Sequence, residues 1–537
     1  MNTISKLSMG VIAAGLAAGV AYGQGGRGGG GGWTTSRGDA QRTAWVRNDA
    51  YISVEEMQKP GFGLQWSTKA GHTPREVLSE GVSNNTAQLD PHPGNVAGSG
   101  NNLYGYEIDT GAVTWTKHFD APAGAAATAA CPGGMTGGVT RETSLTEGVI
   151  GATPGRAGAA RGFTGGVGAP GEGVPASLMV GRGRGGRGAS GRGGFGGPGA
   201  PAFGAGAGGR GASGRGPGGG GGGGGLRGAP AIAYIVASDG MLHMVGQSQG
   251  KELKKPVQFL PANANVGNLI ATEGMVYATT INNCGGVPDG VWAVELDNGA
   301  VTSWKSGANI AGPVAFSAGG TLYVALGAGP AGAKYADSVV ALDPKTLAVK
   351  DWFTMPGATF STNPVVFASG GKEMVAAATK DGRVFVLDGS SLGGSDHKTA
   401  VATSAATTTV KTWAPSSLAT WEDASQGRWI ALPASGASTG IVAFRLNGSS
   451  LTRAWAASVA SPSAPIVVNG VVFALNTGSA AAPATLYAID GSNGKELWNS
   501  GKTMKAASHT GLWSISGQVY VATNDAMLYA FGTSQGR

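Results

Sequence analysis

The stretch Leu486–Trp498, LYAIDGSNGKELW, reads as strand, tight turn, strand. Its first half is rich in β-branched and aromatic residues, which favour extended chain. Asp490 opens the turn because its carboxylate can bond to the amides just ahead, and Gly494 supplies a positive φ where a Cβ would clash. Trp498 begins the next strand with a large flat surface that can wedge between neighbouring sheets. Leu103–Trp115, LYGYEIDTGAVTW, repeats the pattern with Asp109, Gly111 and Trp115. Looser copies run through Asp297, Gly299 and Trp304, through Asp343 and Trp352, and through Asn447 and Trp455. Met241–Leu253 and Val384–Asp388 repeat the strand without the tryptophan.

A further pair of strands precedes most copies, as in PIVVNGVVFAL from Pro465 to Leu475, so each unit supplies about four strands. Four-stranded units in radial repetition make a β-propeller. Fourth-strand markers fall at Trp66, Trp115, Leu253, Trp304, Trp352, near Val401, Trp455 and Trp498, at intervals of about 50 residues outside one long insertion. The fold expected is therefore all-β, an eight-bladed β-propeller of four-stranded antiparallel blades. Seven blades is the alternative, because the unit between Thr68 and Trp115 is irregular. The last unit, ending at Phe531, lacks a fourth strand, whereas Phe62–Trp66 is a fourth strand without a preceding unit. Joining the two closes the ring and leaves no long unpaired edge.

The spacing Ala-x-Asp-x-x-x-Gly-x-x-x-Trp, intact at Ala488, Asp490, Gly494 and Trp498, resembles the repeat of the quinoprotein (PQQ-repeat) β-propeller superfamily. The turns Ser238-Asp239-Gly240 and Lys380-Asp381-Gly382 are similar to it as well. The resemblance spans roughly Trp45 to Phe531. It implies tryptophans that dock one blade on the next (Trp66, Trp115, Trp304, Trp352, Trp455, Trp498) and turns built on Asp109, Gly111, Asp297, Gly299, Asp343, Asp490 and Gly494. The superfamily holds PQQ- and calcium-dependent alcohol and sugar dehydrogenases and also cofactor-free binding or assembly propellers, so fold alone does not choose between them.

Glycine supplies 99 of the 537 residues, about 18%, against roughly 7% in an average protein. Thirty-five of them lie in residues 154–228, together with nine arginines and one acid, Glu172. A chain of that composition has little to bury and is expected as a long disordered Gly/Arg-rich insertion. Its balance of +8 exceeds the whole chain's +7, so 7 − 8 = −1 and the folded remainder is nearly neutral. Collagen is excluded by the absence of a Gly-x-y period, and wholesale disorder by 41% hydrophobic residues. Residues 1–23 read as an export signal, with Lys6 ahead of the apolar run Leu7–Val20 and small residues before Gln24, and residues 24–44 as a Gly-rich lead-in. A periplasmic or secreted protein follows, with no transmembrane segment in the mature chain and a monomeric state. Cys131 and Cys284 are the only cysteines, and a disulfide between them suits an oxidising compartment. Neither lies in a Cys-x-x-Cys context, so cysteine-attached haem is excluded.

A quinone dehydrogenase needs a carboxylate base, oxygen ligands for calcium and a tryptophan floor. An adjacent cysteine pair, usual in the family's alcohol dehydrogenases, is absent here. Of the acids, Asp109, Asp239, Asp297, Asp343, Asp381, Asp388, Asp490 and Asp525 are accounted for as turn formers, which leaves Glu76, Glu142, Glu147, Glu273 and Asp423 near first strands. Pairing of these with Arg75 and Arg141, or solvation, is the plainer expectation. His72 and His509 fall at corresponding places in units that closure makes neighbours and are the candidate metal ligands, with rim hydrogen bonding as the competing role. Trp421 and Trp513 are expected to pack rather than to floor a cofactor.

The reading that follows is an exported propeller without catalysis of its own and with no cofactor expected. It would present a face or channel to a protein, polysaccharide or small-molecule ligand. A PQQ- and calcium-dependent alcohol or sugar dehydrogenase is the alternative. Surface or matrix adhesion through the insertion is a further one. Nucleic acid is disfavoured as a partner because an exported chain rarely meets it.

Overall fold

The computed structural model describes residues 33–69, 82–83, 94–99, 101–122, 128, 130–131, 133–146, 231–410, 414–436 and 439–533. The export signal, the lead-in as far as residue 32, His72, Glu76, Glu147 and the insertion at 154–228 lie outside the described residues. No helix among those described is long and apolar enough to cross a membrane.

The chain is an all-β propeller, and its sheets follow one another along the sequence. The sheet Val266–Thr272, Met275–Thr280, Gly290–Glu295, Val301–Lys305 shows the pattern: four antiparallel strands in sequence order from the axis outward. Alternating small and β-branched residues let both faces of a second or third strand be buried, as in Met275–Thr280, where every residue is buried. Exposure rises outward, and the fourth strand Val301–Lys305 has only half-buried or exposed residues. Ring closure joins the chain ends, with Phe62–Lys69 pairing antiparallel to Met527–Thr533 as the fourth strand of the last sheet.

Among the described residues there are seven sheets of four or five strands, which matches the seven-blade alternative, and an eighth of three: Ile232–Val236, Met241–Gly246 and Val257–Gln258. This corrects the expectation of eight complete blades. The insertion separates Thr140 from Tyr234, so the first-strand position of the short sheet shrinks to a single bridge between those two residues. Its outermost strand keeps two residues, Val257 and Gln258.

The five-stranded sheet owes its extra member to the N-terminus. Trp45 and Val46 pair in parallel with Val467 and Val468 of the first strand Ile466–Val468. The residues just before them, expected as part of a Gly-rich lead-in, are almost continuously buried from Trp33 to Ala44. They form a strap that lies against first strands around the ring.

Candidate functional site

In each antiparallel sheet the first-to-second and third-to-fourth connections leave from one face of the ring, here the turn face. The second-to-third and fourth-to-first connections leave from the other, here the loop face. Between them runs the axis, lined by first strands.

First strands carry unpaired edges toward the axis, and buried amides and carbonyls left unpaired are costly. The strap supplies the partners. Carbonyls of Ala40, Gln41, Thr43 and Ala44 accept from the amides of Phe316, Val366, Thr420 and Val467, at 2.8, 3.0, 3.0 and 2.8 Å. Those four amides belong to first strands of four successive sheets. Inward-facing carbonyls are met by side chains. Arg42 donates from Nε to Val314 O (2.8 Å), from Nη1 to Thr35 Oγ1 (2.8 Å) and Ser36 O (2.6 Å), and from Nη2 to Leu269 O (3.3 Å). Arg37 Nη2 donates to Leu418 O at 3.1 Å and to Pro465 O. Gln41 Nε2 donates to Leu145 O and Phe316 O.

Charge inside the axis is balanced locally. Asp39 is buried and accepts from the amide and hydroxyl of Thr43. Burial pushes its carboxyl above the usual value, and Arg47, Thr43 and Arg42 pull it back. Arg428, on the turn-face side, pairs with Glu422 at 3.2 Å, and burial lowers its guanidinium pKa to about 10, with Glu422 opposing and Arg47 adding. The bend of the strap, Thr35 bridged to Gly38, places Trp33 over Gly38 in the buried interior.

Loop-face carboxylates serve their own loops. Asp239 accepts from the Met241 amide (2.9 Å), Asp381 from Thr379 Oγ1 (2.6 Å) and Arg383, and Asp525 from Thr523 Oγ1 (2.5 Å). Asp289 is buried, which raises its pKa against the amides of Asn283 and Ile310. His509 is exposed and its Nδ1 meets the Asn524 side chain, whereas His72, proposed as its partner, is outside the described residues. Cys131 and Cys284 are joined by a disulfide on this face, flanked by bonds from Asn265 Nδ2 and Asn282 Nδ2 to Ala130 O. Replacing Cys284 by Ser releases a crosslink of 153 residues and is expected to lower stability by about 2–4 kcal/mol. Equilibrium urea unfolding checks this, and reductant should shift the wild-type transition toward that of the variant.

The remaining candidate acids are likewise engaged. Glu142 is bridged beside Ala271, and its carboxyl takes the amides of Gly274 and Glu273; burial and the Glu273 charge raise it. Asp423 caps the turn ahead of Arg428, accepting from the Ser425 and Gly427 amides and from Trp429 Nε1. Burial alone would raise its pKa, but these bonds outweigh it and hold the carboxyl below 3.8. A depressed folded pKa contributes stability that is present above 3.8 and lost as pH falls through the folded value. Asp423→Asn should therefore narrow its stability gap to wild type below pH 3.8, as read by urea midpoints across pH.

Tryptophan docking divides the ring. Trp66 Nε1 donates to Ile108 O (2.7 Å), Trp115 Nε1 to Gln247 O (2.8 Å) and Trp455 Nε1 to Gly491 O (2.9 Å). Each indole covers a turn glycine of the next sheet, Gly111, Gly250 and Gly494. Trp304, Trp352 and Trp498 also meet the next sheet, but not over a turn glycine. Leu347, with φ +55°, stands in the turn that follows Trp304, His397 stacks on Trp352 at 3.7 Å, and Trp498 meets Phe62 and Phe531. Trp421 and Trp513 are buried in the core, stacked on Trp429 and Tyr520.

Among the described residues, no group of three or more His, Cys, Asp or Glu side chains comes together.

No protein-family model matches the chain, and no curated protein matches it. Solved structures do. The quinohemoprotein alcohol dehydrogenase of Comamonas testosteroni aligns over 94% of this chain and 80% of its own, with 14% identity and a TM-score of 0.53. One from Pseudomonas putida HK5 aligns over the same shares with 10% identity and a TM-score of 0.55. A europium-containing methanol dehydrogenase covers 94% of this chain and 98% of its own at 10% identity and a TM-score of 0.52. At such identities the likeness concerns architecture. The chain shares the β-propeller fold of these solved structures.

Proposed function

We propose that the protein is a binding propeller of quinoprotein architecture, exported to the periplasm or beyond. Its axis is closed by its own N-terminal strap, and its loop face receives a protein, polysaccharide or small-molecule ligand without chemistry of its own. One observation carries this reading: the polar groups of the axis are used by the strap, and the described loop-face acids are used by their own turns. The three-stranded sheet is taken as a truncated eighth blade, reduced where the insertion enters.

The second reading is a PQQ- and calcium-dependent alcohol or sugar dehydrogenase, and the comparisons favour it over a scaffold without a ligand. All three solved structures cited above are dehydrogenases by name. Under it the metal and base donors would come from outside the described residues, where Glu76 and Glu147 lie. Incubation with PQQ and calcium, followed by desalting, separates the two. No retained quinone absorbance and no dye reduction with alcohols or aldoses is the outcome expected from the first reading. Stoichiometric retention with turnover overturns it in favour of the second.

A further inference from the structure

The strap is held as a folded peptide ligand would be held. It gives one carbonyl to the first strand of each of four sheets, and only Trp45 and Val46 join a sheet as a strand. Its register is read by side chains at two points. Arg42 inserts its fork between the ring carbonyls of Val314 and Leu269, braced by the strap's own Ser36 O, and Arg37 reaches those of Leu418 and Pro465. Guanidinium suits such seats because its planar donors diverge toward several acceptors, which a compact ammonium cannot match. Nothing in these contacts depends on the peptide bond that links the strap to the rest of the chain. The link itself is accessible, since Asn48 and Ala50 are exposed between the buried strap and the helix Val54–Met57.

We propose that the propeller axis is a peptide-binding site selective for a turn-rich segment that places two guanidinium groups five positions apart, and that Trp33–Arg47 is its tethered occupant. The axis therefore recognises the chain's own N-terminus, and the assembled ring is a complex between receptor and ligand within one polypeptide. This inference is independent of whether a quinone binds elsewhere on the ring.

The test uses the full chain with a protease recognition sequence inserted after Asn48, purified folded and then cut. The cut N-terminal piece should remain with the propeller through size-exclusion chromatography. A labelled synthetic peptide of residues 33–47 should exchange into the cut protein. The same peptide with Arg37→Ala and Arg42→Ala should compete at least about 100-fold more weakly, the loss of two sets of charge-assisted bonds. Loss of the cut piece on desalting with an unchanged melting temperature overturns the proposal. Equal competition by the doubly substituted peptide overturns the guanidinium selectivity on which it rests.

Discussion

Arg42→Ala is expected to cost about 3–5 kcal/mol, the range for removing one member of a buried, hydrogen-bonded charge network. The fully buried guanidinium makes four bonds, to Val314 O, Leu269 O, Ser36 O and Thr35 Oγ1. Two effects oppose each other. Truncation relieves the cost of burying the cation, which favours the variant. It also strips a donor from the buried ring carbonyls of Val314 and Leu269, the latter keeping Thr35 Oγ1, and from Ser36 O of the strap, and it removes one of the cations that pull the raised Asp39 carboxyl back down. The second effect wins because Val314 O and Leu269 O are main-chain groups held by the ring and cannot turn away. Arg42→Lys should recover less than half of the loss, since an ammonium on a flexible stem cannot span the seat. Urea unfolding of the three proteins reads both numbers. An Arg42→Ala midpoint equal to wild type would mean that the strap does not hold the axis.

The second large effect is expected at Gly111→Ala. Gly111 has φ +70°, and a Cβ there would stand 2.2 Å from Trp66 Cε3. The positive φ costs roughly 1–2 kcal/mol for a residue with a Cβ. Forcing the buried indole aside adds roughly 1–3 kcal/mol, so the sum is about 3 kcal/mol. In a Trp66→Ala background the steric part vanishes and only the backbone part remains, a coupling that a double-mutant cycle measures. Gly299→Ala supplies the control. It shares the backbone conformation, φ +72°, but its nearest neighbour is Val257 Cγ1 at 3.3 Å, because Leu253 stands where a docking tryptophan would be. Equal costs at Gly111 and Gly299 would refute docking as the source of the difference.

These two sites also mark what could be read from the sequence. The Asp490 to Trp498 pattern is local: turn, glycine and indole lie within a few residues, so repetition exposes it and ring closure follows from the unmatched strands at the two ends. The strap has no such signature. It occurs once, has no period, and begins beside a glycine run that suggests an unstructured lead-in. Its partners are main-chain carbonyls as remote as Pro465, 428 positions from Arg37, and they converge only after the ring has closed. The residues around Asp39, TTSRGDAQRT from Thr34 to Thr43, are polar and read as surface rather than as buried chain. That Trp304 and Trp352 dock on something other than a turn glycine was hidden for a related reason. Leu347 adopts the φ that glycine takes elsewhere, and His397 arrives from a loop outside the repeat. The candidate histidine pair was drawn from equivalent positions, but His509 is satisfied by Asn524 within its own unit.

The inward carbonyls of Leu418, Pro465, Leu145, Phe316, Val314 and Leu269 accept from Arg37, Gln41 and Arg42. The disulfide between Cys131 and Cys284 crosslinks part of the loop face.

The most direct test of the axial strap is hydrogen exchange of the intact protein, followed on peptides covering residues 33–46 and on those containing Phe316, Val366, Thr420 and Val467. Amides bonded across the axis open only when the ring does, so they should exchange as slowly as the buried second strands, near the global unfolding free energy. Exchange of the strap peptides at the rate of exposed loops, with the second strands still protected, would contradict the account.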